Sequence, residues 1–366
     1  MTSRPLSIVI AGGGTGGHLY PGVAVARALL ARVPDARVSF AGTARGIEAR
    51  VVPQEGFELD LIRAAGLKGK SLGALWRGLF LLPAGLLDAW GLLSRRQPHV
   101  VIGVGGYSSG PVVLLAALRG RPTMVLEQNA VPGLTNRWLA RVVRSAAVTY
   151  EGTRTYFRGK AFVSGNPVRP EFMIGGQGER PAGRPPRLLV LGGSQGAHAI
   201  NVAVAAAVAE WTRRLPGLSI VHQTGTRDVD AIRRAYADAG VTAVVEPFLD
   251  RVADVMRDAD IVISRAGATT LAELAALGVP AVLVPFPAAT DDHQRKNAEA
   301  LVQVGAAHLV LEHTLSTPAG HQAFADLVLR VLTAREEREA MRRQMAATAR
   351  LDAADRIVDR VLELAA

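Results

Sequence analysis

Residues Gly12 to Gly22 read GGGTGGHLYPG, and within them Gly12, Gly14 and Gly17 satisfy the G-x-G-x-x-G spacing of a dinucleotide-binding turn. That chemistry needs a partner, an acidic residue about 20 positions on at the end of the next strand, to hold the adenosine ribose. The strand in question, RVSFAGT (37–43), ends without one; Asp35 precedes it and Glu48 lies in the following segment. A Walker loop fails as well, because His18 and Leu19 stand where Lys and Ser or Thr belong. A tight strand-to-helix turn with no ligand is the plain alternative, but so many glycines weaken a helix start entropically. The run reads better as an anion cradle, in which bare backbone N–H groups at the positive end of a helix receive a phosphate. A histidine at such a helix start is biased toward its neutral form, so His18 can serve as a base or hydrogen-bond partner. A packed or capping histidine is the competing role.

A second cluster follows the same plan. RLLVLGGSQGAHAIN (187–201) is a buried strand, a glycine turn and a small-residue helix. The triplet Asp258-Ala259-Asp260 imitates a metal-binding Asp-x-Asp, but it directly precedes a buried strand, where Asp258 is expected to end a helix. No other His/Asp/Glu cluster has ligand spacing, so no protein metal site is predicted. Cysteine is absent, which excludes disulfides, thiolate zinc sites and cysteine nucleophiles.

The elements that must carry these loops are legible as alternating short apolar runs and Ala/Leu-rich helical segments. LSIVIA (6–11), RVSFAG (37–42), HVVIGVGG (99–106), TMVLEQ (123–128) and AAVTY (146–150) are nearly continuous apolar runs, as parallel strands covered on both faces should be. A Gly/Pro/Arg stretch, GGQGERPAGRPPR (175–187), then breaks the pattern. It restarts with the second glycine cluster and continues through LSIVHQTG (218–225), TAVVEPF (242–248), DIVISRAG (260–267) and PAVLVPF (280–286), before a charged helical tail. The class is α/β, with two Rossmann-like halves, and ligands are expected at the carboxyl ends of the strands.

At 366 residues the chain exceeds one ordinary core, in keeping with two domains. Its net charge is +10, carried almost wholly by arginine, since lysine occurs only at 68, 70, 160 and 296. Such a surface suits phosphorylated substrates or anionic lipid; no basic run interleaved with aromatics points to nucleic acid. The start of the chain lacks the pattern of a signal peptide. The most apolar stretch, residues 78–93, is broken by Pro83 and Asp88 and is too short to span a bilayer, so the protein is expected to be soluble or peripheral.

Seven segments in order, GGGTGGHLYPG (12–22), GVGGYSSGP (103–111), EQNAVPGLTNRWL (127–139), SGNPVR (164–169), GGSQGAHAIN (192–201), SRAGATTLAE (264–273) and DDHQRKNA (291–298), resemble the MurG family of glycosyltransferases. The resemblance runs from the first strand to about Gly305. It implies a GT-B fold, two Rossmann-like domains whose parallel sheets face across a cleft, divided as 1–163, a linker at 164–186, and 187–366, with the last helix free to pack back on the first domain. It also implies transfer of N-acetylglucosamine, with inversion, from UDP-N-acetylglucosamine to the C4 hydroxyl of lipid I (undecaprenyl-pyrophosphoryl-N-acetylmuramyl-pentapeptide). Two pyrophosphates, one on each substrate, would account for two sets of glycine loops.

By the same resemblance the donor is bound by Ser194, Ala268, Thr269 and Thr270 at the diphosphate, Glu273 at the ribose, Leu249 and Arg169 at the uracil end, and Gln294 and Asn129 at the sugar, with Thr15, Gly16 and Gly17 adjoining. Gly14, Thr15, Gly105, Gly106, Tyr107, Ser108 and Ser109 form the neighbourhood of the acceptor diphosphate. Inversion asks for a base near the attacking hydroxyl, for which His18 leads and Glu127 is second. Relatives often carry His before EQN; Leu126 stands here instead, which removes any acid–base role at that position. No cofactor is required, and a divalent metal would be at most stimulatory. Leu75, Trp76, Leu79, Phe80, Leu81 and Leu82, with Arg77, Lys68 and Lys70 near by, could insert shallowly into an anionic leaflet; an ordinary buried helix is the alternative. The implied place is the cytoplasmic face of the bacterial plasma membrane, among proteins of cell-wall synthesis, cell shape and division. Another GT-B enzyme with a different UDP-sugar, a non-catalytic sugar-nucleotide-binding protein and a dehydrogenase remain alternatives, separable by donor choice, by His18→Ala and Glu273→Ala, and by NAD(H) titration.

Overall fold

The computed structural model describes residues 4–64, 83–174, 183–193 and 196–366, and for 72–82 the helical backbone alone. The chain divides into two compact units, residues 1–169 with 350–366, and residues 170–349. In the first, β1 (Ser7–Gly12), α1 (Gly16–Arg32), β2 (Arg37–Gly42), α2 (Glu48–Gln54), β3 (Glu58–Leu61), α3 (Leu72–Arg96), β4 (Val100–Gly105), α4 (Ser109–Leu118), β5 (Thr123–Glu127), α5 (Leu134–Leu139), β6 (Ser145–Val148) and β7 (Ala161–Val163) follow one another. All described pairings are parallel, in the order β3-β2-β1-β4-β5-β6-β7. Every residue of β1 and β4 is buried, which is why their sequences run apolar without alternation. Ile8, Ile10, Ile102 and Val104 face one core with Leu19 and Val23 of α1, while Val9, Ala11 and Val101 face another with Leu92, Leu93, Val112 and Val113.

The second unit holds β8 (Arg187–Leu191), α6 (His198–Arg214), β9 (Ser219–Gln223), α7 (Val229–Asp238), β10 (Val244–Glu246), α8 (Val252–Asp258), β11 (Ile261–Ser264), α9 (Ala268–Leu277), β12 (Ala281–Leu283), α10 (His293–Gln303), β13 (Ala307–Leu309), α11 (Pro318–Thr333) and α12 (Arg335–Ala347). Its parallel sheet has the order β10-β9-β8-β11-β12-β13. Leu188, Val190, Ile261, Ile263 and Val282 pack on α6 and α11. The last helix, α13 (Ala353–Ala365), joins the first unit, where Ile357, Val358 and Val361 enter the core beside α1 and Arg32 binds Asp359.

In each sheet the strand order reverses direction beside its first strand, between β1 and β4 and between β8 and β11. A crevice opens at such a point outside the carboxyl ends of the strands, because the flanking connections leave on opposite sides. The glycine loops occupy those two points. Residues 258–260 lie at the opposite, amino-terminal ends of the strands, where α8 ends at Asp258 just before the central strand β11. There Asp258 accepts from Arg187 Nη1 at 2.8 Å, and Asp260 accepts from the Arg187 N–H at 2.8 Å and from Arg184 at 3.0 Å.

Candidate active site

In the first unit two loops interlock. Gly12 and Gly13 leave β1 with φ of 145° and 144°, and Gly105 leaves β4 with φ of 97°, a region that residues with a Cβ avoid. The Gly13 N–H donates to the Gly105 carbonyl at 3.3 Å. A side chain at Gly106 would meet the Gly13 carbonyl at 2.5 Å, so backbone lies directly on backbone.

Thr15 caps α1 with extended angles, and His18 sits in the first turn, its N–H donating to the Thr15 carbonyl at 3.2 Å. The Thr15 hydroxyl meets His18 Nδ1 at 3.2 Å. The imidazole lies against the second loop: a Cβ at Gly105 would be 2.6 Å from His18 Cδ2 and 3.1 Å from Nε2. Thr15, His18 and the Gly105–Tyr107 turn are thus brought together, with Thr15 exposed, His18 half-buried and Tyr107 53% exposed. Ser109 opens α4 beside this turn. It is fully buried with its hydroxyl toward Gly103. Ser108 is buried too. The Gly14 N–H is likewise engaged, donating to Glu48 Oε2 at 2.7 Å, so this amide holds a protein carboxylate and not a ligand phosphate.

Glu127 corrects the expectation of a second base. Its Oε1 accepts from the Asn129 N–H at 3.0 Å and the Asn129 side-chain amide at 3.2 Å. Its Oε2 accepts from the Gly133 N–H at 3.0 Å and Asn136 Nδ2 at 2.9 Å. A buried carboxylate with two donors on each oxygen has no lone pair left for a substrate proton. Burial pushes its pKa above the usual carboxylate range, against the pull of those donors. Its work is to fold the loop from Glu127 to Asn136. Leu126 packs into the core. The Arg169 guanidinium lies over the Tyr20 ring of α1, 4.8 Å from its centroid.

In the second unit the loop after β8 is tied to the strand beside it: the Gly192 N–H donates to the Gln223 carbonyl at 2.9 Å, and Gly193 and Gly196 turn with φ near 72° and 73°. Ser194 lies outside the described residues, as do the side chains of Leu75, Trp76, Leu79, Phe80, Leu81 and Leu82. Behind the loop runs a polar chain that sequence reasoning missed. Asn201 Nδ2 donates to the Thr224 carbonyl at 2.9 Å and to Asp228 at 2.8 Å, so its Oδ1 must accept from His222 Nε2 at 3.1 Å. His222 Nδ1 then accepts from the Tyr236 hydroxyl at 2.8 Å. Burial drives the His222 pKa down to about 3, with the Asp228 charge opposing. Against the cost of its own burial, donors from Asn201, His198 and Arg227 hold Asp228 below the usual carboxylate range.

The neighbouring loop begins α9 at Ala268 after Gly267, with Ala268, Thr269 and Thr270 half-buried on its first turn and Glu273 buried one turn on. Arg265 donates to the Val284 carbonyl at 3.1 Å and pairs with Glu312, joining the ends of β11 and β12. Gln294 Oε1 accepts from the Phe286 N–H at 3.0 Å, which fixes the amide so that its NH2 is the end turned away from that backbone. Asp291 and Asp292, just before it, take left-handed φ of 54° and 55°, a local strain that short polar side chains tolerate. Leu249 is half-buried beyond β10, beside the exposed Phe248.

Residues 8–148 match the glycosyltransferase family 28 N-terminal domain, and residues 187–357 match its C-terminal domain. A relative from Anaeromyxobacter sp. (strain K), a UDP-N-acetylglucosamine--N-acetylmuramyl-(pentapeptide) pyrophosphoryl-undecaprenol N-acetylglucosamine transferase, is 44% identical over 98% of this chain and 93% of its own. One of the same description from Pelobacter propionicus is 45% identical over 98% of this chain and 99% of its own. The crystal structure of Acinetobacter baumannii MurG superposes with a TM-score of 0.78 at 31% identity, covering 98% of this chain and 100% of that one.

Proposed function

The chain belongs to the MurG family, within glycosyltransferase family 28, and on that premise we propose that its first unit presents the acceptor to His18 while the loops of its second unit hold the donor. The enzyme transfers N-acetylglucosamine from UDP-N-acetylglucosamine to lipid I, making lipid II for peptidoglycan. The observation that carries the site assignment is the contact of Thr15, His18 and the Gly105–Tyr107 turn at the switch point of the first sheet.

When Nδ1–H of His18 donates to the Thr15 hydroxyl, Nε2 keeps its lone pair. That nitrogen takes the proton as the acceptor C4 oxygen forms its bond to the anomeric carbon. The breaking bond carries its electron pair to the β-phosphate oxygen, and UDP leaves from the opposite face. A β-1,4 bond results with inversion. The first turn of α9, with Ala268, Thr269 and Thr270, points its positive end at the departing diphosphate. Glu273 takes the ribose, Leu249 the uracil, and the Gln294 NH2 a sugar hydroxyl. No cofactor takes part, and a divalent ion would act on the diphosphate itself.

The enzyme works as a peripheral protein on the cytoplasmic face of an anionic membrane, beside the machinery of cell shape and division. Supporting this, α3 leaves Leu87 and Trp90 exposed, and Leu118 is exposed at the end of α4 with Arg119 over the Trp90 ring at 4.4 Å. No helix among the described residues is long and apolar enough to cross a membrane.

Incubation with labelled UDP-sugars and lipid I tests the function: transfer from UDP-N-acetylglucosamine is expected, and folded enzyme that uses only UDP-glucose would overturn it. Leu79→Glu with Phe80→Glu should weaken binding to anionic vesicles, and unaltered binding would refute the membrane assignment.

A further inference from the structure

We propose that Glu48 is a positioning residue for transfer, a strap beneath the first glycine loop that sets Thr15 and His18; the proposal rests on the role of His18 given above. Glu48 opens α2, yet its side chain turns inward and is 1% exposed. Oε2 accepts from the Gly14 N–H at 2.7 Å, and Oε1 accepts from the Thr43 N–H at 2.8 Å and the Thr43 hydroxyl at 2.9 Å. Glycines from two separate loops make room for it. A Cβ at Gly13, Gly42 or Gly46 would come within 2.5, 2.4 or 2.1 Å of Glu48 side-chain atoms.

Burying a carboxylate is costly unless donors replace its water, and here they do so on both oxygens. One of those donors is the N–H of Gly14, the residue immediately before Thr15. Its capture fixes the direction in which the chain enters α1, and with it the Thr15 hydroxyl that meets His18 Nδ1 and the ring that rests on Gly105. A neutral isostere cannot do the same. Glutamine has the shape of glutamate, but its NH2 must face either the Gly14 N–H or the Thr43 N–H, where only an acceptor fits.

Full-length enzyme with isotope-labelled histidine, its His18 signals assigned through His18→Gln, tests the strap in two variants. Glu48→Gln changes the acceptor set, and Gly46→Ala displaces the carboxylate with a methyl group whose three nearest neighbours are all Glu48 atoms. Both are expected to shift the His18 ring signals and lower kcat by about 10- to 100-fold, as for a small misplacement of a catalytic group. The KM for UDP-N-acetylglucosamine should stay within about twofold, and the effect of Gly46→Ala should vanish in a Glu48→Ala background. Unmoved His18 signals with wild-type kcat in Glu48→Gln would overturn the proposal. So would a joint loss of donor binding and thermal stability, which would make Glu48 a folding residue. If His18→Gln itself transfers at the wild-type rate, the base assignment fails, and the ring signals alone then decide whether the strap exists.

Discussion

The two glycine loops occupy equivalent places in their sheets and are supported in opposite ways. Beneath the loop of the first unit lies one carboxylate, Glu48, which seizes a loop amide directly and leaves the following helix start to carry Thr15 and His18. Behind the loop of the second unit no described carboxylate touches a loop amide; Asn201, one turn into α6, is tied instead to Thr224, Asp228 and His222 on the neighbouring strand and its loop. The first arrangement anchors backbone within the loop itself, through the Gly14 N–H. The second fixes the helix that follows, while the Gly192 N–H ties the start of the loop to the Gln223 carbonyl. On the proposed roles, a base must meet one hydroxyl in one direction, whereas a diphosphate offers many oxygens to its donors.

Four measurements would break or sharpen this contrast. The largest effect is expected from His18→Ala, which should lower kcat in the lipid I assay by about 100- to 1,000-fold with little change in donor KM. An equal fall in donor affinity would erase the division of labour between the loops. Next comes the pH dependence of the second network. His222 is neutral when folded, with a pKa of about 3, whereas an unfolded histidine titrates near 6.5; the unfolded chain therefore binds the extra proton between these values. Stability of the second unit should be complete above pH 6.5 and should fall by about 3 kcal/mol from pH 7 to pH 4. Urea titrations at several pH values would read this, and His222→Gln should flatten the slope.

Asn201→Ala ranks third. It strands the Thr224 carbonyl, Asp228 and the His222 N–H together, so a loss of about 2 kcal/mol in urea is expected, with a raised donor KM. The smallest effect should come from Asp258→Asn, which removes half of an exposed pair with Arg187 at the amino-terminal ends of the strands, away from the glycine loop. A change below about 0.5 kcal/mol is expected, with the same response to added magnesium as the parent enzyme. A lost response would reopen the Asp-x-Asp as a metal ligand.

Much of this was written in the chain. The continuous apolar runs at 6–11, 99–106 and 260–267 could only be central strands, and they became β1, β4 and β11. The short edge strands β3, β7 and β13 have only three or four residues, and β3 and β13 carry polar positions as well, so none offers a run long enough to stand out from a loop. The contact of His18 with Thr15 was legible because both stand in one local motif. Glu48 was not, since its meaning depends on an amide 34 positions earlier, and in sequence it shows only as an acid in the wrong place for a ribose. Glu127 misled for a related reason: an acid beside Gln128 and Asn129 suggests reactivity, while the donors that saturate it at Gly133 and Asn136 are revealed only once the loop folds back.

The last helix gives the two units different histories during synthesis. Residues 170–349 form a contiguous unit that has all its parts once they emerge from the ribosome. The first unit, begun at β1, lacks Ile357, Val358 and Val361 until the end of the chain appears, and holds an open apolar face beside α1 through all of that time. The half of the enzyme translated first is therefore the half completed last, and a ribosome that stalls before α13 strands a nascent chain whose exposed greasy seam is the natural target of a chaperone.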